Sequence, residues 1–178
     1  MRAPTIAAWN RDLMLSDLPD GTSCFVDANI LCYHIVQTPP LSDVCTQFIK
    51  RIERGAVSAS TSATVVAEAI HKVMLAEAIQ QYKLDHRGLA HRLQRQRELI
   101  AGLSAHRQVP ALIRALSLHV EPVTLDILER AATISTDYRL LTNDAVTIAI
   151  MEKLGLSHLA TNDDNFDSAP SLSIWKPR

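Results

Sequence analysis

Three cysteines, Cys24, Cys32 and Cys45, are too few for a disulfide framework, and none falls in the Cys-x-x-Cys spacing of a zinc site. Each sits among apolar residues, so buried reduced thiols are expected, as in a cytosolic protein. Aromatic residues make up only 4% of the chain, too little for extensive stacking of bases. No apolar run approaches the roughly 20 residues of a membrane span, and the amino terminus lacks the continuous apolar core of a secretory signal. The expectation is a cytoplasmic protein without a membrane partner. Net charge is scarce as well: −1 at neutral pH excludes both a generally basic nucleic-acid binder and an acidic disordered chain. Any charge-driven partner must be met by a local patch. What the chain does have is 47% hydrophobic residues over 178 positions, enough to build the core of one ordinary domain.

The most informative stretch is Cys24 to Ile35, where Asp27 and Asn29 interrupt an apolar run. Such a run favours a strand buried on both faces, and an acid appearing as it turns a corner belongs at the strand's carboxyl end. Open α/β sheets place their ligands there. An Asp that merely caps the following helix accounts for the local pattern equally well.

Residues 1 to 22 form an extension packed on the domain, in which Ile6, Trp9, Leu13 and Leu15 fit a short amphipathic helix. Ser42 is a candidate N-cap for a helix carrying Val44, Phe48, Ile49 and Ile52, closed by Gly55. Ala56 to Ser60 fits a short strand, and Thr61 to Gln81 a long helix rich in Ala, Glu, Gln and Met. Glu68 falls on this helix between Leu75 and Ile79, where an acid is partly buried. The plain alternative is an i,i+4 pair with Lys72, worth about 0.2 to 0.5 kcal/mol on an exposed face.

From Lys83 to Arg114 the character changes, with seven basic residues against two acids, so the remainder of the chain carries −6. Leu89, Leu93, Ile100 and Leu103 make a helical stripe with Arg87, His91 and Arg95 opposite. A basic face of this kind is either solvated surface or a contact for phosphates. After a helix from about Thr124 to Tyr138, Thr142 is a plausible N-cap and Asp144 lies in the first turn of a helix ending at Gly155. An acid there ordinarily complements the helix dipole, at about 0.3 to 1 kcal/mol. Asp144 nevertheless shares a face with Ile148 and Met151, which turns it towards the sheet. Leu156 to Thr161 fits another strand, followed by the polar cluster Asn162 to Asp167, and Ser173 to Trp175 fits an edge strand.

The order of these acids resembles the PIN domain, a family of metal-dependent ribonucleases, over about Cys24 to Trp175. Phe25 to Ile30 is similar to the family's Asp-x-Asn opening, and Leu159 to Phe166 to its Thr-x-Asp-x-Asp-Phe closing motif. Asn143-Asp144-Ala145 resembles the third acidic site, and Glu68 fits the second. Asn165 departs from the pattern, standing where a second Asp is common, and the Glu68 to Asp144 interval is wider than in compact members. The resemblance implies a three-layer α/β/α fold around a mostly parallel sheet of four to five strands, spanning residues 23–178, with residues 83–114 as a basic helical insertion. It implies Mg²⁺ or Mn²⁺ held directly or through water by Asp27, Asp144 and Asp163, with Glu68 either a ligand through water or the group orienting the nucleophile. Asn29 and Thr161 would aim these carboxylates, and Arg87, Arg92 and Arg95 are candidates for RNA binding. Small PIN proteins are often VapC-type toxins, so an RNA substrate, an antitoxin partner and a homodimer follow by the same resemblance. A catalytically vestigial domain serving as an RNA or protein scaffold is the alternative. A phosphatase with a nucleophilic Asp fits less well, because Asp27-Ala28-Asn29 lacks the second Asp such enzymes use.

Overall fold

The computed structural model describes residues 13–37, 39–169 and 172–178. Ile6 and Trp9 of the expected amino-terminal helix lie outside the described residues. Its remaining part is not an α-helix, because Leu13–Met14 pairs as strand β1 and Leu15–Asp17 forms a 3₁₀ turn that buries Leu15. The chain continues through β2 (Ser23–Val26), α1 (Ala28–Val36), α2 (Leu41–Glu53), β3 (Ser58–Ser62) and α3 (Ala63–Tyr82). Then follow α4 (Leu89–Arg95), α5 (Arg97–Ala101), α6 (Gln108–Ala115), β4 (His119–Glu121), α7 (Leu125–Tyr138), α8 (Thr142–Leu154), β5 (His158–Ala160) and β6 (Ser173–Lys176).

The six strands form one sheet in the order β1-β6-β5-β2-β3-β4, and every pair is parallel. The mixed α/β architecture with a parallel sheet is therefore as expected, extended by two short strands. Parallel neighbours need crossover connections, and these are right-handed in nearly all cases. The chain moves one way across the sheet from β2 to β4 and returns past β2 to β5. The two directions put α1 to α3 on one face of the sheet and α7 and α8 on the other.

The centre of the sheet carries the core. Phe25 lies opposite Leu159 and Val26 opposite Ala160, all fully buried. Ala145 to Met151 are buried without a break, so α8 is covered on all sides. A second, smaller cluster gathers Ala78, Leu89, Leu93 and Leu103 around the end of α3. Cys24, Cys32 and Cys45 are free and buried as expected, and burial pushes each thiol up to about 12. Among the described residues no helix is long and apolar enough to cross a membrane.

Several local expectations change. Ser173 to Trp175 is not at an edge, because β1 pairs outside it. Neither Ser42 nor Thr142 caps its helix: Pro40 and the extended Leu141 hold those positions, and both hydroxyl residues fall within the first turn. The basic stripe is not one helix, since the backbone at Gln96 leaves helical geometry and divides α4 from α5. Replacing Phe25 by Ala is expected to cost about 3 to 5 kcal/mol, since it opens a cavity between the centre of the sheet and the layer packed on that face. A urea unfolding series on the purified variant measures this.

Candidate functional site

β2 and β5 are neighbours, and the connections that follow them leave in opposite directions, β2 toward β3 and β5 toward β6. Such a reversal opens a crevice beyond the carboxyl ends of the strands. Asp27 is the first residue after β2 and has extended backbone geometry, so it caps α1, with Oδ1 accepting from the Ala28 N–H at 2.7 Å. Helix capping and placement at the strand end are thus the same arrangement. Only 8% of Asp27 reaches solvent. Its Oδ2 accepts from Thr161 Oγ1 and from Asn29 Nδ2, each at 2.6 Å. Thr161 follows β5 and is fully buried, while Asn29 Oδ1 accepts from the Asn162 N–H at 3.0 Å. Three side chains therefore join the ends of β2 and β5.

The same Thr161 hydroxyl accepts from the Asp163 N–H at 3.0 Å. Asp163 caps the 3₁₀ turn Asp164–Ser168 by accepting from the Asn165 N–H at 2.9 Å. Asn165 Nδ2 in turn donates to Asp144 Oδ2 at 3.3 Å, linking the turn to the start of α8. Behind the turn, Lys176 at the end of β6 is buried and donates to Asp164 Oδ1 at 2.5 Å and Asp167 Oδ2 at 3.2 Å. Glu68 arrives from α3, which meets α1 where Cys32 Sγ lies 3.7 Å from the Ala69 carbonyl. Glu68 Oε1 pairs with Lys72 Nζ at 2.6 Å.

Glu68, Leu141, Asp144 and Asn165 line one cleft of about 400 Å³. Burial pushes the Asp27 carboxyl above its ordinary value, against the pull of the Thr161 hydroxyl, the Ala28 amide and Lys72, and with a push from Glu68. Burial also raises Asp144, followed by repulsion from Asp163; Glu68 adds to it while Asn165 and Lys72 oppose it. For Lys72, burial works against the charge, but its bond to Glu68 and the attraction of Glu68 and Asp27 raise it overall.

Asp27, Glu68, Asp144 and Asp163 thus share one electrostatic neighbourhood, with Lys72 the one lysine acting on Asp27 and Asp144 among the described residues. Their oxygen-only donors suit a hard cation, and such an ion would offset the burial that chiefly raises Asp27 and Asp144 and the repulsion that adds to it. Among the described residues no three His, Cys, Asp or Glu side chains stand close enough to enclose an ion. Mg²⁺ needs only one or two carboxylates because it retains several waters.

Asp27, Asn29, Thr161 and Asp163 are brought together, with Asp144 joined through Asn165 and Glu68 through the shared cleft. Arg87, Arg92 and Arg95 line a different cleft, of about 740 Å³, beside α4. Sequence reasoning did not give Asn165 its link to Asp144, nor Lys176 its place behind the turn. Both depend on distant residues, although an amide in the closing cluster was the available signal for the first.

The family model of the PIN domain matches residues 24–172. The Mycobacterium tuberculosis toxin VapC20, which cleaves the sarcin-ricin loop, is similar over 85% of this chain and 98% of its own, at 19% identity and a TM-score of 0.57. VapBC2 of Rickettsia felis, solved with a DNA fragment from its promoter, is similar over 86% and 98%, at 14% identity and a TM-score of 0.52. At these identities the likeness is one of fold. No curated protein sequence matches.

Thr161→Val tests the junction. It removes a donor to Asp27 and the acceptor of the Asp163 N–H, and is expected to destabilise the chain by about 1 to 3 kcal/mol at neutral pH. The lost bond favoured ionised Asp27, so the variant's Asp27 pKa lies above the native one; the deficit is full above the variant's value and shrinks as the pH falls from it to the native value. Chemical denaturation of both proteins in chelator, at a series of pH values, measures the difference.

Proposed function

The chain belongs to the PIN domain family, and from that premise we propose that it is a Mg²⁺- or Mn²⁺-dependent endoribonuclease and the toxin of a toxin–antitoxin pair. The observation that carries the reading is the junction of Asp27, Asn29 and Thr161 at the sheet's reversal, with Asp163 tied to it through Thr161 and Asp144 sharing a cleft with Glu68 and Asn165. Asp27, Asp144 and Asp163 would hold the ion directly or through water, and Glu68 would act through water or orient the nucleophile. The bound ion supplies a Lewis acid for a phosphoryl oxygen and acidifies a coordinated water. Asn29 and Thr161 aim the Asp27 carboxylate, a supporting role worth about 10- to 100-fold in metal affinity or activity in metal sites generally. RNA is the proposed substrate, an antitoxin the proposed inhibitor, a homodimer the proposed assembly and the cytoplasm the proposed compartment. The fold likeness to VapC20 and VapBC2 accords with the toxin reading.

One observation favours the scaffold reading instead. Lys72 already neutralises Glu68, which a domain that no longer binds metal would find sufficient.

Titration of Mn²⁺ into the purified protein, with an RNA cleavage assay on the same sample, decides between them. Binding and chelator-sensitive cleavage are expected in the native chain, with both lost in folded Asp27→Asn and Asp144→Asn variants. A folded native chain that neither binds Mn²⁺ nor cleaves is the scaffold. For the toxin role, induced expression in a bacterial host is expected to arrest growth, and Asp144→Asn to restore it.

A further inference from the structure

Three depressions follow one another along α3 and α4. The acidic cleft contains Glu68, whose partner Lys72 lines the next groove together with Leu75, Ile79 and Leu89. That groove, of about 630 Å³, shares Gly88 and His91 with the cleft of Arg87, Arg92 and Arg95. The path therefore runs from acids, past one lysine, over an apolar floor, to a wall of arginines.

We infer that this path is the substrate track: it holds an unpaired RNA segment with its scissile phosphate at the acids and a phosphate a few nucleotides away in the arginine cleft. The inference rests on the ribonuclease reading and adds to it the form of RNA and the direction in which it lies. From Glu68 to Ile79, which lines the middle groove, is eleven residues of helix, a rise of about 16 Å, so the path from the acids across that groove spans a short stretch of single strand rather than one linkage.

Charge complementarity selects this occupant. Arg87, Arg92 and Arg95 are exposed, and no acid lines their cleft, so it attracts a polyanion. The groove between is apolar and bordered by His86 and His91, whose rings are flat surfaces against which an unstacked base can lie. A paired helix would keep its base faces stacked inside and leave this floor bare. Lys72, between floor and acids, faces the backbone of a strand entering the crevice.

The test is fluorescence anisotropy of an unpaired RNA of about 12 nucleotides, within the range that single-strand grooves engage, bound to the full chain in chelator across a salt series. Combined Arg87→Ala, Arg92→Ala and Arg95→Ala is expected to weaken binding about tenfold or more at low salt and to reduce the salt slope by about two. His91→Ala at a pH where histidine is neutral is expected to weaken binding with the slope unchanged. Native affinity and slope in the folded triple variant overturn the track. A triple variant that keeps its RNA affinity but loses an acidic peptide bound by the native chain also overturns it, assigning the arginines to a protein partner. Cleavage by the native chain in Mn²⁺ is read separately. Its absence, with RNA binding lost as expected in the triple variant, refutes the ribonuclease reading and with it the scissile phosphate at the acids, while the arginine cleft stands as an RNA-binding site.

Discussion

Asp27 carries its carboxylate to the one place in the sheet where two strands running side by side are followed by chain segments leaving in opposite directions. Burial makes that charge unfavourable, and the surroundings answer with a backbone amide, a threonine hydroxyl and an amide side chain, all aimed at its two oxygens. Each donor has a second task. Ala28 begins α1, Thr161 leaves β5 and takes the Asp163 N–H, and Asn29 also receives the Asn162 N–H. The carboxylate is thus a structural joint as well as a chemical group. On the other side, Thr61 donates to the Val26 carbonyl at 2.9 Å, so the end of β2 is held from β3 too.

Satisfaction of this joint does not extend to the charges around it. Burial raises both Asp27 and Asp144; Asp163 and then Glu68 repel Asp144, and Glu68 adds a smaller push at Asp27. Lys72 is the compensating cation, but it lies nearest Glu68, and an ammonium can make its strongest contact with only one carboxylate at a time. A fold selected for stability alone would replace some of these acids, since a buried carboxylate with half-buried like charges around it destabilises it. Their presence together is the expected signature of a site whose balance includes something positive from outside the chain.

The sequence made this region legible because acids and amides interrupt apolar strands there, and such interruptions at Asp27 and Asn162 mark strand ends without knowledge of the partner strand. Asp144 was harder. Its alignment with Ile148 and Met151 points it to one side, yet α8 is buried on all sides from Ala145 to Met151, so that alignment does not single out a direction. β1 and β4 have two and three residues, too few for any period to show, and they accounted for the strands beyond the expected number. Lys176 reads locally as a surface residue near the carboxyl end. It is buried because Asp164 and Asp167 return to it from the turn, a pairing that only the adjacency of β5 and β6 creates. The apolar stripe of the basic segment was real at Leu89, Leu93 and Leu103, but a stripe does not report the break at Gln96, because both short helices pack onto the same small cluster.

The overall charge of −1 conceals a division that matters for any nucleic-acid substrate, since residues 83–114 are strongly basic and the rest of the chain is acidic. A cleft of carboxylates repels phosphate, and a bound divalent ion reverses that sign only over a short range, because surface fields fade within about a Debye length of 8 to 10 Å. An arginine wall one groove away acts where the ion's field has faded, and Lys72 lies between the two. A polyanion following this path would meet positive charge at both ends and at the step between them. Shifting Arg92 and Arg95 to the opposite face of α4 would leave the composition, the net charge and the acidic joint unchanged, while weakening the attraction that leads a strand into the crevice.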